Sequence, residues 1–414
     1  MKNIIILFGI LLIDFSCGIS NGQGGFNPKK STDNFFEIKY EDLLNNKKPI
    51  GLSQVATNVE YIKLETNKDC LLGQMTNFYF SDSLIFVAEE NCVLKFSNKG
   101  KFLGKLASSG RGPKEITDAI IQICLIPDKK IFIAQDFAKH KLLYFSFNGE
   151  LVKTVNYSPY LSKIEVTRDG RFVTYDAGSS GSNKYTFRLT NEHNDTISIV
   201  KNYYSWESNS NNGLVIAIHT SRPIQPFYYS KSKTFLKSLY DDTVYYVSSN
   251  KIQPGYFINL GKYKLPNNYI PTEKLRGTDL QFYREKAEKY NFVNVFEASD
   301  KIFLTSYSYN SKIAPKYIIY NKANKNGFYL YGGNDESTGI INDWDGGMNF
   351  WPSSSINDDK VYMPITISDI QKELNNKSNN KSVKYLEKKR QLENLVSTSD
   401  ITDNPILMIV TLKH

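Results

Sequence analysis

The sequence predicts an all-β fold, a six-bladed β-propeller of four-stranded antiparallel blades with two helical insertions. Short runs of Tyr, Phe and β-branched residues, which suit a pleated and half-buried surface, recur from Phe78 to Val410 in a chain with 28 Tyr and 25 Phe. Gly100 and Gly149, 49 residues apart, occupy the same turn in two copies of one pattern, and four-strand repeats of about 40 to 50 residues are the signature of a propeller. Residues 58–414, less two non-β insertions at about 264–290 and 369–403, leave 295 residues, about 49 for each of six blades. At 41% hydrophobic and 22% charged residues, the chain is neither disordered nor a polytopic membrane protein.

Residues 1–17 read as an export signal. Ile4 to Ile13 are apolar or small, a run about half of the ~20 residues that span a bilayer. Ser16-Cys17 then resembles the lipobox of bacterial lipoproteins, which implies diacylation of Cys17; Asp14 stands where that pattern carries Leu, and ordinary cleavage near Gly18 to Ser20 is the alternative. Residues 18–57 form an N-terminal segment before the propeller. Cys70, Cys92 and Cys124 remain, an odd number without a C-x-x-C pair, and they read as core residues rather than a disulfide framework.

The clearest blade copies are Ser83 to Glu89 with Val93 to Leu106, and Lys130 to Asp136 with Lys141 to Val155. Their Asn-Lys-Gly and Phe-Asn-Gly tips supply the positive φ of tight hairpins, which places each hairpin on the outer side of a blade. Weaker copies follow at Gly170 to Tyr175 with Tyr185 to Val200, Thr234 to Leu236 with Thr243 to Leu260, Lys301 to Tyr307 with Tyr317 to Tyr331, and Lys360 to Ile365 with Ile406 to Lys413. Thr272 to Tyr290 and Asp369 to Val396 read as helical, with Pro271, Thr272 and Asp369 as helix starts, Leu386, Leu392 and Leu395 on an apolar face, and an interruption at Asn375 to Ser382.

The turn Gly110-Arg111-Gly112-Pro113-Lys114-Glu115 resembles the GxGPxE turn of the six-bladed β-propeller lipoproteins of the Bacteroidota. The resemblance continues through Tyr61 to Glu65, Ser238 to Tyr245 with Pro254-Gly-Tyr256, Asn342-Asp343 through Phe350-Trp-Pro352, and Asn404-Pro-Ile-Leu407 with Leu412-Lys413, in order along nearly the whole mature chain. It implies a propeller in the cell envelope, lipid-anchored to the outer membrane, and no particular reaction. On its own chemistry the turn is neither a Walker loop nor a dinucleotide fingerprint. Its glycines permit unusual backbone angles, Pro113 sets the exit, and Arg111 or Glu115 is placed to hold a neighbouring blade or to contact a ligand.

Catalytic signatures are absent from the sequence. The four histidines, His140, His193, His219 and His414, show no metal-ligand spacing, and neither H-E-x-x-H nor G-x-S-x-G occurs. Asp343-Trp-Asp-Gly-Gly347 lacks the third acidic ligand and distal Glu of a calcium loop and reads as a turn; Asp241 and Asp242 read as a turn before a strand. No metal or cofactor is expected. The net charge of +9 is spread over the chain, with a local cluster at Lys381, Lys384, Lys388, Lys389 and Arg390; this is a solvated helical face or a surface for anionic lipid or glycan. Nucleic acid is not an expected partner.

The expectation is therefore an exported, lipid-anchored propeller that binds a glycan, a peptide or an envelope protein at one end of its central channel. The alternative is a propeller hydrolase or lyase acting on glycan through carboxylates such as Asp136, Asp176 or Glu115. A second alternative is a scaffold in an envelope complex.

Overall fold

The computed structural model describes residues 35–73, 76–117, 119–120, 122–157, 163–176, 184–203, 224–269, 285–310, 312–331, 339–376 and 381–414. The leader and Cys17 lie outside the described residues. An N-terminal segment carries β1 (Phe36–Lys39), α1 (Tyr40–Asn45), β2 (Lys47–Lys48), α2 (Leu52–Val55) and β3 (Ala56–Lys63). Six sheets follow. Blade 1 is β4 (Asn77–Ser81), β5 (Leu84–Ala88), β6 (Cys92–Ser97) and β7 (Phe102–Ser108). Blade 2 is β8 (Ile123–Ile126), β9 (Ile131–Asp136), β10 (Lys141–Ser146) and β11 (Leu151–Asn156); blade 3 is β12 (Lys163–Val166), β13 (Phe172–Tyr175), β14 (Tyr185–Thr190) and β15 (Thr196–Lys201). Blade 4 is β16 (Phe227–Ser230), β17 (Lys233–Lys237), β18 (Thr243–Ser248) and β19 (Lys251–Asn259); blade 5 is β20 (Asn291–Ala298), β21 (Lys301–Ser308), β22 (Lys316–Asn321) and β23 (Asn326–Leu330). Blade 6 holds β24 (Ser354–Ser355), β25 (Lys360–Ile365) and β26 (Ile406–Leu412). The chain is a six-bladed β-propeller.

Burial explains the strand sequences. The second strands are sandwiched between neighbouring blades and largely buried, with both faces apolar in Leu84–Ala88, whereas the outer β11 is largely exposed. The innermost strands of five blades are short, from five residues in β4 down to two in β24, which hides them from the sequence pattern; β20, with eight, is the exception.

The ring closes through the N-terminal segment. β3 pairs antiparallel with β26, from Ile406 opposite Lys63 to Leu412 opposite Ala56, and so supplies the outer strand of blade 6. The sequence pattern places Tyr61 to Glu65 before the first blade; the structure puts Tyr61 to Lys63 in the last one, because pairing the two chain ends removes the open edge between first and last blades. Residues 36–48 likewise depart from a separate N-terminal segment. β1 adds parallel to β19 of blade 4, and β2 adds parallel to β23 of blade 5.

Gly100 and Gly149 are at equivalent hairpin tips, with φ of 81° and 84°. A Cβ on Gly100 would lie 2.0 Å from the Lys63 carbonyl oxygen, and one on Gly149 would lie 2.8 Å from that of Leu106. Each tip therefore nests against the outer strand of the preceding blade, where no side chain fits.

The second insertion contains α3 (Ile367–Asn375) and α4 (Leu386–Ser397), with the interruption between them. Its cap is Thr366, not Asp369: the Thr366 hydroxyl accepts the Asp369 N–H at 3.1 Å and donates to the Asp369 carboxylate at 2.7 Å, a reciprocal capping arrangement that starts the helix earlier. Leu392 and Val396 face the core, while Leu386 is 62% exposed because the helix only begins there. Thr272, Pro271 and most of the first expected helix lie outside the described residues. Among the described residues no helix is long and apolar enough to cross a membrane.

Candidate functional site

The two faces of the ring differ in their connections. Links between first and second strands are short, such as 82–83 in blade 1, 231–232 in blade 4 and 299–300 in blade 5. Links between blades, together with those between second and third strands, all leave from the opposite face. They include 109–122, 202–226, 260–290, 331–353 and the helical 366–405.

On the short-link face the inner turns are tied together. The Asp358 carboxylate of blade 6 accepts the Lys231 N–H of blade 4 at 2.7 Å, and the Asp358 carbonyl accepts the Ser299 N–H of blade 5 at 2.5 Å. Arg168 of blade 3 donates to the Ser232 hydroxyl of blade 4 at 3.0 Å. Four of the six inner turns thus form a collar across this end.

Within the channel, side chains satisfy the free edges of the innermost strands, whose backbone groups have no further strand to pair with. The Ile123 N–H donates to the Tyr79 hydroxyl at 3.2 Å; the Cys124 thiol and the Gln122 amide donate to the Ile164 carbonyl at 3.3 and 2.6 Å. The Tyr229 hydroxyl donates to Glu165 Oε1 at 3.0 Å and to the Val166 carbonyl, and the Ser355 hydroxyl donates to the Tyr229 carbonyl at 3.3 Å. The Tyr362 hydroxyl donates to the Phe78 carbonyl at 3.3 Å. This belt links blades 1 and 2, 2 and 3, 3 and 4, 4 and 6, and 6 and 1.

Glu165 is the acidic centre of the belt. Burial raises its carboxyl to about 7, against the lowering effect of the Val166 N–H, Tyr229 and Cys124. Burial, with the Glu165 charge beside it, pushes the Cys124 thiol well up, so Cys124 is a protonated donor rather than a nucleophile. Cys70, Cys92 and Cys124 are all free thiols, the first and last buried. The sequence marks Cys124 only as a core residue and carries no signal for Glu165, because one acid in the short Lys163–Val166 strand has no distinguishing pattern.

On the long-link face the expected carboxylates bind the protein's own loops. Asp136 is fully buried and accepts the Thr117 and Lys139 N–H groups, each at 3.0 Å. Burial raises its carboxyl, but these N–H donors and the Thr117 hydroxyl outweigh that and hold it below its ordinary value. Glu89, one blade earlier, makes the same kind of latch with the Gly73 N–H at 3.0 Å and the Thr76 hydroxyl. Asp176 is buried at the corresponding point of blade 3.

The GRGPKE turn leaves the outer strand of blade 1 on this face. Glu115 folds back over the turn and accepts the Gly112 N–H at 2.7 Å, and a Cβ on Gly110 would collide with that carboxylate at 2.1 Å. Arg111 and Pro113 are exposed. Among the described residues neither Arg111 nor Glu115 pairs with a charge on a neighbouring blade.

Other marked residues are structural. Asp241 accepts the Thr243 N–H at 2.9 Å as a turn acid, whereas Asp242 is buried in an ion pair with Lys264 at 2.8 Å, which the sequence does not signal. Burial raises the Asp242 carboxyl, opposed by Lys264 and Lys237. In the Asp343 to Gly347 turn, Asp345 accepts the Asn342 amide at 2.8 Å and the Gly347 N–H at 3.0 Å, and Asp343 accepts the Ser53 hydroxyl at 2.7 Å. Among the described residues no three or more acidic, His or Cys side chains come together in a set that could hold a metal ion. The basic cluster is partly neutralised on site: Lys381 pairs with Glu373 at 2.5 Å, Lys389 with Glu393 at 3.8 Å and Arg390 with Glu387 at 3.6 Å.

Among solved structures, a Bacteroides fragilis protein designated as exported is similar, at 17% identity and TM-score 0.70, over 91% of this chain and 99% of that one. A member of the DUF4221 family from Bacteroides vulgatus matches at 10% identity and TM-score 0.40, over 87% of this chain and 97% of that one. No curated protein matches the chain. The family described as a domain of unknown function, DUF4934, matches residues 35–411, and the chain therefore belongs to the DUF4934 family.

Proposed function

We propose that the protein is an exported propeller, lipid-anchored through Cys17 in the cell envelope, that binds a glycan, a peptide or an envelope protein at the long-link end of its channel. One observation carries this reading: the short-link end is tied by the Asp358 collar, while the long connections leave and re-enter the blades at the other end. Variable loops on a rigid scaffold are where binding resides. The apolar leader ending at Ser16-Cys17 supports export, as does likeness to a Bacteroides fragilis protein designated as exported. Binding is favoured over hydrolysis because Asp136 and Glu115 already accept backbone N–H groups.

The test is a thermal-shift screen of the form lacking residues 1–17 against glycans, peptides and divalent metals. A ligand present at about 100 Kd contributes about 2.7 kcal/mol of stability. The shift should shrink on Arg111→Ala, on the long-link face, and persist on Arg168→Ala, on the other; the opposite pattern overturns the placement. Silence across the screen with one protein co-purifying selects the scaffold alternative, and turnover of a hit selects the enzyme. Cys17→Ala should abolish acyl labelling, and labelling that persists overturns the anchor.

A further inference from the structure

The hairpin tips of the first three blades share one hydrogen-bond pattern and one backbone twist but not one residue. In blade 1 the Ser97 N–H donates to the Lys101 carbonyl and the Gly100 N–H to the Ser97 carbonyl; in blade 2 the same bonds run from Ser146 to Glu150 and from Gly149 to Ser146. In blade 3 they run from Asn191 to Asp195 and from Asn194 to Asn191. Asn194, at φ 66°, therefore stands where the other two blades carry glycine. Asn tolerates that conformation, but it brings a side chain to a place where the other tips have no room for a Cβ. Its amide oxygen is held by Arg188 Nη2 at 2.8 Å.

Between this tip and the outer strand of blade 2 lies a cavity of ≈ 180 Å³. Leu142, Val155, Ile164 and Phe172 give it an apolar wall, Thr174 and Thr190 add hydroxyl-bearing residues, and the 191–194 hairpin forms its polar rim. Its size is below the ~300 Å³ of sites for drug-sized molecules and close to the ~150 Å³ apolar cavity that accepts a benzene ring. We infer that this seam between blades 2 and 3 is a binding site for a single aromatic ring carrying one hydrogen-bonding substituent, a phenol-like ligand, opened by Asn194 in place of the hairpin glycine. The ring lies against the apolar wall and its substituent meets the polar rim. A charged group on the ring would be disfavoured by the apolar wall.

The site is separate from the channel end, so Arg111→Ala leaves it unchanged. Phenol is the probe, titrated into the protein lacking residues 1–17 and followed by NMR shift changes. Saturable binding is expected, weakened at least tenfold by Asn194→Gly, which lets the hairpin close as its two counterparts do, and by Val155→Phe, which fills the space from the facing strand. Thermal melting checks that both variants are folded; Asn194→Gly keeps the residue type that the turn prefers. Absence of saturable phenol binding overturns the inference. So does binding that both variants leave intact, or saturable binding of glucose in preference to phenol.

Discussion

Blades 4 to 6 and blades 1 to 3 repeat one four-strand unit but are held in different ways. The outer rims of blades 4, 5 and 6 carry β1, β2 and β3, all from the N-terminal segment. Its Ile38, Tyr40 and Leu52 enter one continuous core with Val293, Phe303, Val361 and Val410 of blades 5 and 6. Among the described residues, blades 1 to 3 instead end in their own fourth strands β7, β11 and β15, and their cores are smaller clusters shared by adjacent blades. Bulges and polar residues protect an open edge without covering it. One half of the ring is welded by a shared strap, whereas the other is assembled seam by seam, and the cavity lies in one of those seams.

The sharpest way to break this contrast is to cut the strap. Tyr40 is fully buried, exchanging a hydrogen bond with the Ser306 hydroxyl at 2.6 Å and accepting the Asn291 amide at 2.9 Å. Tyr40→Ala should lower unfolding free energy by about 3–5 kcal/mol in urea titration; a loss below about 1 kcal/mol would show that the segment only decorates the rim.

Next come the hairpin tips. Gly100→Ala should cost roughly 2–4 kcal/mol through backbone strain and collision with the blade 6 strand, while Asn194→Ala at the equivalent place should cost about 1 kcal/mol or less. Equal losses would remove the distinction between closed and open seams.

Glu165 tests the seam between blades 3 and 4. Its folded carboxyl is raised to about 7 from an ordinary 4.5, so the native state holds a proton that the unfolded chain releases. This stabilising contribution is present in full below the unfolded value and is lost as pH rises through about 7. Glu165→Gln should therefore flatten the stability profile between pH 5 and 8, removing about 1–3 kcal/mol of wild-type decline. An unchanged slope on denaturation at both pH values would refute the assignment. The smallest effect belongs to the bare rim: Val152, 54% exposed on β11, should tolerate Val152→Thr within ~0.5 kcal/mol.

What the sequence made legible follows from periodicity. The second-to-fourth strands of the blades show it, and Gly100 and Gly149 mark their tips, so the blade number could be read from spacing. The Phe36–Lys39 and Lys47–Lys48 strands could not, because they join sheets whose other members lie about 200 or more residues away. The channel belt was equally hidden: Tyr79, Cys124, Glu165 and Tyr229 come from four blades and share no local motif. Conversely, the conspicuous GRGPKE turn and Asp136 serve as internal latches. Asn404, in the terminal motif, does the same for closure, with its amide donating to the Glu65 and Cys70 carbonyls at 2.7 and 2.8 Å.

The pairing of β3 with β26 also sets an order on biosynthesis. The closing strand Ala56–Lys63 emerges before any complete blade, and its antiparallel partner Ile406–Leu412 follows about 340 residues later. Until then the strand has a permanent place but no partner, and five other blades must form beside an unsealed ring. Such distant pairing slows folding and prolongs exposure of an unpaired strand. A nascent chain stalled before Ile406 would therefore be an open ring with two sticky ends, a substrate for chaperones and proteases rather than a closed propeller.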